Sequence, residues 1–207
     1  PNGNCTSGIT RTQTPLSTTA NNNVKSLIGW DNTKYLNIWV VANIDRGQAA
    51  NTVILGYSAF PYYNIPLTQD GIVIRHDKLG NMGSAVGTRH RTLTHEVGHY
   101  VNLYHTFQSG CTGGDNCYDT PPVATSSSGC NKALPQNTCH NDNPDLPDML
   151  ENYMDYSSDN CMNTFTLNQK SRAKAVLTSS LLRGQLASAS NLVATGVSSG
   201  SISCSPT

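Results

Sequence analysis

The sequence predicts an α+β domain: a small twisted sheet, a histidine-bearing helix, and a loop-rich, disulfide-stapled C-terminal part that closes on a second helix. Three observations predict it. Residues 35–41, 53–60 and 71–75 are runs of β-branched and aromatic residues bounded by Gly, Pro, Asn or Asp, the signature of short strands. Over 88–102 the chain carries no Gly or Pro except Gly98, and Leu93, Val97 and Val101 fall at helical spacing. Residues 108–158 then hold Cys, Gly, Pro, Asp and Asn with almost no periodicity, longer than unsupported loops usually run.

In chain order, residues 1–34 are polar and turn-rich, with a weak helical turn near 24–28 and no recognisable chemistry. The three strands follow, and a loop punctuated by Gly80, Gly83 and Gly87 leads into the first helix. The stretch 108–158 needs support other than secondary structure, and disulfides or bound cations supply it where little apolar surface is available. Thr166 and Gln169 form a capping-box pair ahead of Ala173, Val176, Leu177 and Leu181, so a second helix starts there and docks by that apolar face. Beyond Ser188 the Ser, Ala and Gly content reads as a loose tail that Cys204 could tie down. The reading is one domain over 1–187 and a tail over 188–207, without internal repeats.

Composition excludes several classes of function. The chain has 207 residues, 13 basic against 13 acidic, and the basic residues form no cluster, so there is no electrostatic footprint for nucleic acid. The longest apolar runs, such as 38–42, are strand-sized and far short of a membrane span. Charged residues make up 13%, about half the usual share, with Asn, Ser and Thr in their place. That palette, with seven cysteines outside any C-x-x-C motif and five of them within 111–161, points to a secreted, extracellular protein with disulfides and one unpaired cysteine. The chain opens at Pro1 without an initiator Met or a signal peptide's apolar segment, which reads as a processed form or a fragment. Asn4-Cys5-Thr6 is a glycosylation acceptor in a host that glycosylates.

The chemistry lies in His95, Glu96, Val97, Gly98 and His99, an H-E-x-x-H. On a helix the two imidazoles stand at i and i+4 on one face, near enough to share a metal ion, with Glu96 beside its open side. This suits a zinc-bound water and a carboxylate that takes its proton. His105 reaches the same ion only if the chain turns sharply after His99, and Asn102 stands where such a turn needs a residue tolerant of positive φ. His76, His90 and His140 have no such spacing and read as structural or surface residues.

The segment HEVGHYVNLYH, followed by Thr106 and Phe107, then Asp119-Thr120-Pro121 and ENYMDYSSDNC over 151–161, resembles the pappalysin family of metzincin metallopeptidases. PNGN, GITRT, KYLNIWV and FTLNQKSR follow the same family in order and spacing, so the resemblance covers most of the chain. It implies a metzincin-like zincin fold and a secreted zinc endopeptidase acting on protein or peptide substrates. By the same resemblance His95, His99 and His105 bind zinc, and Glu96 is the general base and acid. Met154 lies beneath the metal as a support, and Tyr156 assists the oxyanion. Asp159, two residues before Cys161, would sit at the base of the S1′ pocket and favour cleavage before Arg or Lys. The family pattern pairs Cys111 with Cys139 and Cys130 with Cys161, which leaves Cys5, Cys117 and Cys204; a Cys5–Cys204 pair would leave Cys117 free. Asp115 and Thr120 fall where relatives bind a structural calcium. A propeptide or inhibitor is the further partner expected of a monomeric enzyme. Family domains begin with a strand and a long helix that nothing before Cys5 supplies, so the resemblance implies a segment N-terminal to this one.

Two rival readings keep the same motifs: a non-catalytic extracellular module that binds zinc and calcium for structure, and a truncated, inert enzyme. Structural zinc is usually closed by four protein ligands, often thiolates, whereas three histidines leave a position open.

Overall fold

The computed structural model describes residues 8–87, 89–131, 136–179 and 181–197. The chain divides into two compact units, residues 1–75 with 176–207, and residues 76–175.

The first unit is built on a three-stranded sheet. Strands β1 (Ile38–Val41), β2 (Gly56–Ser58) and β3 (Ile72–Arg75) each lie inside one of the predicted runs. Their order is β1-β3-β2, with β1 parallel and β2 antiparallel to β3. The central strand is buried throughout at Ile72, Val73 and Ile74, as its unbroken apolar run requires. The register sets Trp39 and Tyr57 on either side of Val73, and this row packs with Ala20, Val24, Val41 and Ile44. Ala20 and Val24 come from the segment that reads as uninformative in sequence. A 3-10 helix over Asn22–Ser26 replaces the expected weak turn, and Ala20 pairs with Ile44 in an isolated bridge.

Two buried cations hold this unit together. Lys25 donates from Nζ to the Gln69 carbonyl at 2.8 Å and lies against the rings of Trp39 and Tyr57. Arg183 pairs with Asp70 at 2.5 Å, and Asn32 donates to the other carboxylate oxygen at 3.1 Å. Leu181 departs from the expected docking face: the preceding helix ends at Thr178, helical spacing lapses, and the side chain is 64% exposed. Residues 189–194, which read as part of a loose tail, form a short helix (Ala189–Ala194) capped by Ser188 Oγ, which accepts from Asn191 N at 3.2 Å. Asn191 donates to the carbonyls of Lys34 and Leu186.

The second unit carries the histidine helix, α1 (Thr92–Tyr100), shorter than the run 88–102 because positive φ at His90 and Asn102 excludes regular helix beyond either end. A single helical turn, α2 (Gly110–Gly113), interrupts the loop, and the first nine residues of α3 (Leu167–Thr178) follow it in this unit. The capping box at the start of α3 is reciprocal: Thr166 N donates to Gln169 Oε1 at 2.9 Å, and Gln169 N to Thr166 Oγ1 at 3.2 Å.

Disulfides and buried carboxylates hold the long loop. Cys111 pairs with Cys139 and Cys130 with Cys161, as the resemblance implies, and Cys117 is a free, buried cysteine. Cys5, Cys204 and Asn4 lie outside the described residues. Asp148 accepts from Thr138 N at 3.0 Å, and Asp155 accepts from Ser127 N and Tyr156 N at 2.9 and 2.7 Å. These contacts give irregular backbone the partners that a ladder would otherwise provide. His76 meets Ser84 Oγ at 2.9 Å, and His140 pairs with Asp145 on the surface, in keeping with structural and surface roles.

Candidate metal centre

Helix periodicity brings His95 and His99 onto one face of α1, and the helix end brings in the third histidine. Asn102 has φ 74°, its N–H bonds the His99 carbonyl at 2.9 Å, and Leu103 N–H bonds the Gly98 carbonyl at 2.9 Å. That pair of bonds is a Schellman motif with Asn in the left-handed position. It reverses the chain just after the second histidine, and the Asn102 carbonyl accepts from Arg172 Nε at 2.6 Å. Thr106 N–H then bonds the Met154 carbonyl at 3.2 Å, which fixes the chain on the far side of His105.

The result is a cluster of three nitrogens. His105 Nε2 lies 3.1 Å from His95 Nε2 and 3.0 Å from His99 Nε2. Among the described residues, this is the one group of three or more His, Cys, Asp or Glu side chains placed to hold a metal. The Nδ1 atoms of His95 and His99 meet the carbonyls of Tyr153 and Leu103 at 2.6 and 2.8 Å. A carbonyl only accepts, so both Nδ1 atoms carry the proton and both Nε2 atoms present lone pairs. Lone pairs converging from three rings repel unless a cation takes them. Three nitrogens about 2.0–2.1 Å from a tetrahedral zinc stand roughly 3.3–3.4 Å apart, close to the observed spacing. The donor set therefore fits zinc.

Electrostatics agree. Burial, together with the neighbouring His99, lowers His95 to about 4 against the Tyr153 hydrogen bond that favours the proton. Burial and the other two histidines lower His105 to about 3, and burial also lowers His99. All three are neutral near pH 7, the form that binds metal.

Glu96 is 5% exposed on α1. Tyr156 is half-exposed, its ring 4.9 Å from that of His105 and 5.6 Å from that of His95. Partial burial and the charges of Glu96 and Asp155 raise its phenol, so it stays protonated and able to donate. Met154 is wholly buried against Gly98. The structure thus brings together His95, Glu96, His99, His105, Met154 and Tyr156, with Asn102 at the turn.

The other expected residues are carried by irregular chain. Asp159 is half-buried in the loop that follows. Asp115 is buried, with Oδ1 accepting from Cys117 N at 2.9 Å and Thr120 Oγ1 at 2.7 Å, while its buried Oδ2 has no partner within hydrogen-bond geometry among the described residues. Burial raises Asp115 against these bonds.

Two supports were not legible as such. Asn152 and Gln169 exchange side-chain amide hydrogen bonds, both at 3.1 Å, and Asn152 Oδ1 also accepts from Met154 N at 2.9 Å. The capping residue of α3 thereby anchors the turn that holds Met154. Phe107 stacks on His105. Its place two residues after the third histidine, within the family-like segment, was the available signal.

This α+β fold and its three-histidine cluster define a metzincin-type metallopeptidase scaffold. Residues 18–178 match the peptidase family model described as pregnancy-associated plasma protein-A, and the chain belongs to that family, the pappalysins. An extracellular metalloprotease of Colletotrichum graminicola is 43% identical over 122 residues, 56% of this chain and 42% of its own length. An extracellular metalloprotease of Arthroderma otae is 35% identical over 154 residues, 72% of this chain and 53% of its own. The chain spans about half the length of these relatives. Mature mirolysin of Tannerella forsythia, solved with a cleaved peptide, superposes with a TM-score of 0.71 at 37% identity, over 89% of this chain and 70% of that one. A promirolysin mutant from the same organism has a TM-score of 0.71 at 35% identity, over 89% of this chain and 62% of that one.

Proposed function

We propose that this chain is the catalytic part of a secreted zinc-dependent endopeptidase that hydrolyses peptide bonds in proteins. One observation carries the reading: three neutral imidazoles converge through Nε2 beside a buried glutamate, a set of three protein ligands that leaves one side open. His95, His99 and His105 would hold the zinc. When bound, it would polarise the scissile carbonyl and lower the pKa of water to about 7.

The chain's own residues do the rest. Glu96 takes a proton from the attacking water and passes it to the leaving amine. Tyr156, kept protonated by its surroundings, donates a hydrogen bond to the developing oxyanion. Met154 and the Asn152–Gln169 pair keep the histidine cluster in place from below. Asp159 offers a carboxylate to an Arg or Lys side chain at P1′, where an apolar side chain would leave the charge unpaired. A calcium ion bound through the orphaned Asp115 Oδ2, beside Thr120, would give that buried oxygen a partner in the loop. The names of the relatives support export, and promirolysin supports a propeptide.

Digestion of a peptide library by the purified chain, with and without a chelator, tests the reading. Chelator-sensitive cuts before Arg or Lys are expected. Cuts elsewhere would remove Asp159 from the specificity role and leave the enzyme. The substitution Glu96→Gln should abolish cleavage by about 100-fold or more at unchanged zinc content. Undiminished cleavage would overturn the assignment of Glu96, and no cleavage by folded, zinc-loaded wild type would overturn the peptidase.

A further inference from the structure

Of the three histidines, His105 is oriented differently from the others. His95 and His99 each have Nδ1 on a backbone carbonyl. For His105, only Nε2 has a polar neighbour among the described residues. Its backbone is held on both sides, since Thr106 N–H bonds the Met154 carbonyl at 3.2 Å and Gln108 N–H bonds the His105 carbonyl at 3.0 Å. These bonds place Cα and leave the ring free to turn about Cβ–Cγ.

Aromatic packing stops that rotation. Phe107 lies parallel to the His105 ring, with centroids 4.7 Å apart and planes inclined by 11°. Tyr156 meets the same imidazole edge-on, 4.9 Å away at 71°. Phe107 and Tyr156 also touch each other, 5.1 Å apart at 66°. The three rings close a triangle, and both geometries are ones that aromatic pairs favour. Phe107 is half-buried and lies outside the fully buried core side chains.

We propose that Phe107 is a positioning residue for the third metal-binding histidine: by stacking it does for His105 what a carbonyl hydrogen bond does for His95 and His99, and it braces Tyr156 with the same ring. The proposal rests on the metal-centre reading above. Partners behind a ligand typically contribute about 10- to 100-fold in metal affinity, and this ring takes such a partner's place.

The test is zinc affinity, measured by competition with a chromophoric chelator, together with the absorption spectrum of the cobalt(II)-substituted protein. Phe107→Leu keeps much of the volume and removes the flat face, whereas Phe107→Tyr keeps the face. Leucine should weaken zinc about tenfold or more and shift the cobalt spectrum, and tyrosine should restore both to wild type. Phe107→Met carries the same expectation as leucine if the leucine variant does not fold. Wild-type affinity in the leucine or methionine variant would overturn the proposal. So would a tyrosine variant as weak as leucine, since the flat face would then not be what matters. A wild-type chain that binds no zinc would instead bring down the metal-centre reading itself, which makes the two failures distinguishable.

Discussion

Gly98 and Met154 are packed so closely that a Cβ at position 98 would displace the Met154 side chain. A Cβ built on Gly98 would lie 2.3 Å from Met154 Sδ and 3.2 Å from its Cε. Met154 is wholly buried and cannot swing into solvent. The variant Gly98→Ala should therefore lose about 1–3 kcal/mol through overpacking, and it should bind zinc more weakly if the strain spreads from the Met154 side chain to its carbonyl, which holds Thr106 N–H. Thermal melting and zinc titration check both.

Asn102 should tolerate glycine and reject β-branched residues. Its φ of 74° lies in the left-handed region, where an ordinary side chain costs about 1–2 kcal/mol. Asn102→Gly is expected to melt near wild type and to keep its zinc. Asn102→Val should melt several degrees lower and lose zinc, since the same turn aims His105.

Acid should weaken the metal-free protein before it touches most carboxylates. The ordinary imidazole value is 6.5, and the folded state holds His95 near 4 and His105 near 3. Between those values and 6.5 the unfolded chain binds protons that the native chain refuses, so stability rises with pH across this window. The contribution is fully present above about 6.5 and falls as pH drops toward 4 and then 3. Melting of chelator-treated protein across this range should show the fall; a flat profile would contradict neutral, buried histidines.

The Asp70–Arg183 pair should be costly to break from one side. Both side chains are 3% exposed, and removing one partner of such a pair costs about 3–5 kcal/mol by stranding the other charge. Arg183→Met is expected to show that loss in denaturant unfolding, and Asp70→Leu combined with it should recover part of the loss.

The loop should depend on its disulfides and hide its thiol. Cys130 and Cys161 are separated by 31 positions, for which chain entropy predicts a contribution of about 3–4 kcal/mol. Replacing both by serine should lower the denaturation midpoint accordingly. Burial and the neighbouring Asp115 push the Cys117 thiol up to about 11. A thiol reagent should accordingly label the Cys117 peptide only once the chain unfolds.

Much of the fold was legible because its signals are local. The three strands were readable from β-branched runs, and the helix carrying His95 and His99 from its period. The reciprocal cap of Thr166 and Gln169 needs only residues three apart. Leu181 falls outside the helix because periodicity does not say where a helix stops when no Gly or Pro marks the end. Ala20 and Val24 were passed over because two small apolar residues in a polar segment make no pattern until a sheet lies against them.

By itself the sequence marked His95, Glu96, His99 and His105 as candidates for a metal site and Asn102 as the turn, since each follows from spacing or backbone preference within a few residues, while Tyr156 was marked by the family resemblance alone. Only the tertiary structure decided that the carbonyls of Tyr153 and Leu103 set the tautomers, that Phe107 faces His105, that Gln169 anchors Asn152, and that Gly98 must stay small. The physical reason is that a backbone carbonyl is the same at every position. A contact between distant residues likewise depends on where the chain returns, which no local pattern of side chains records.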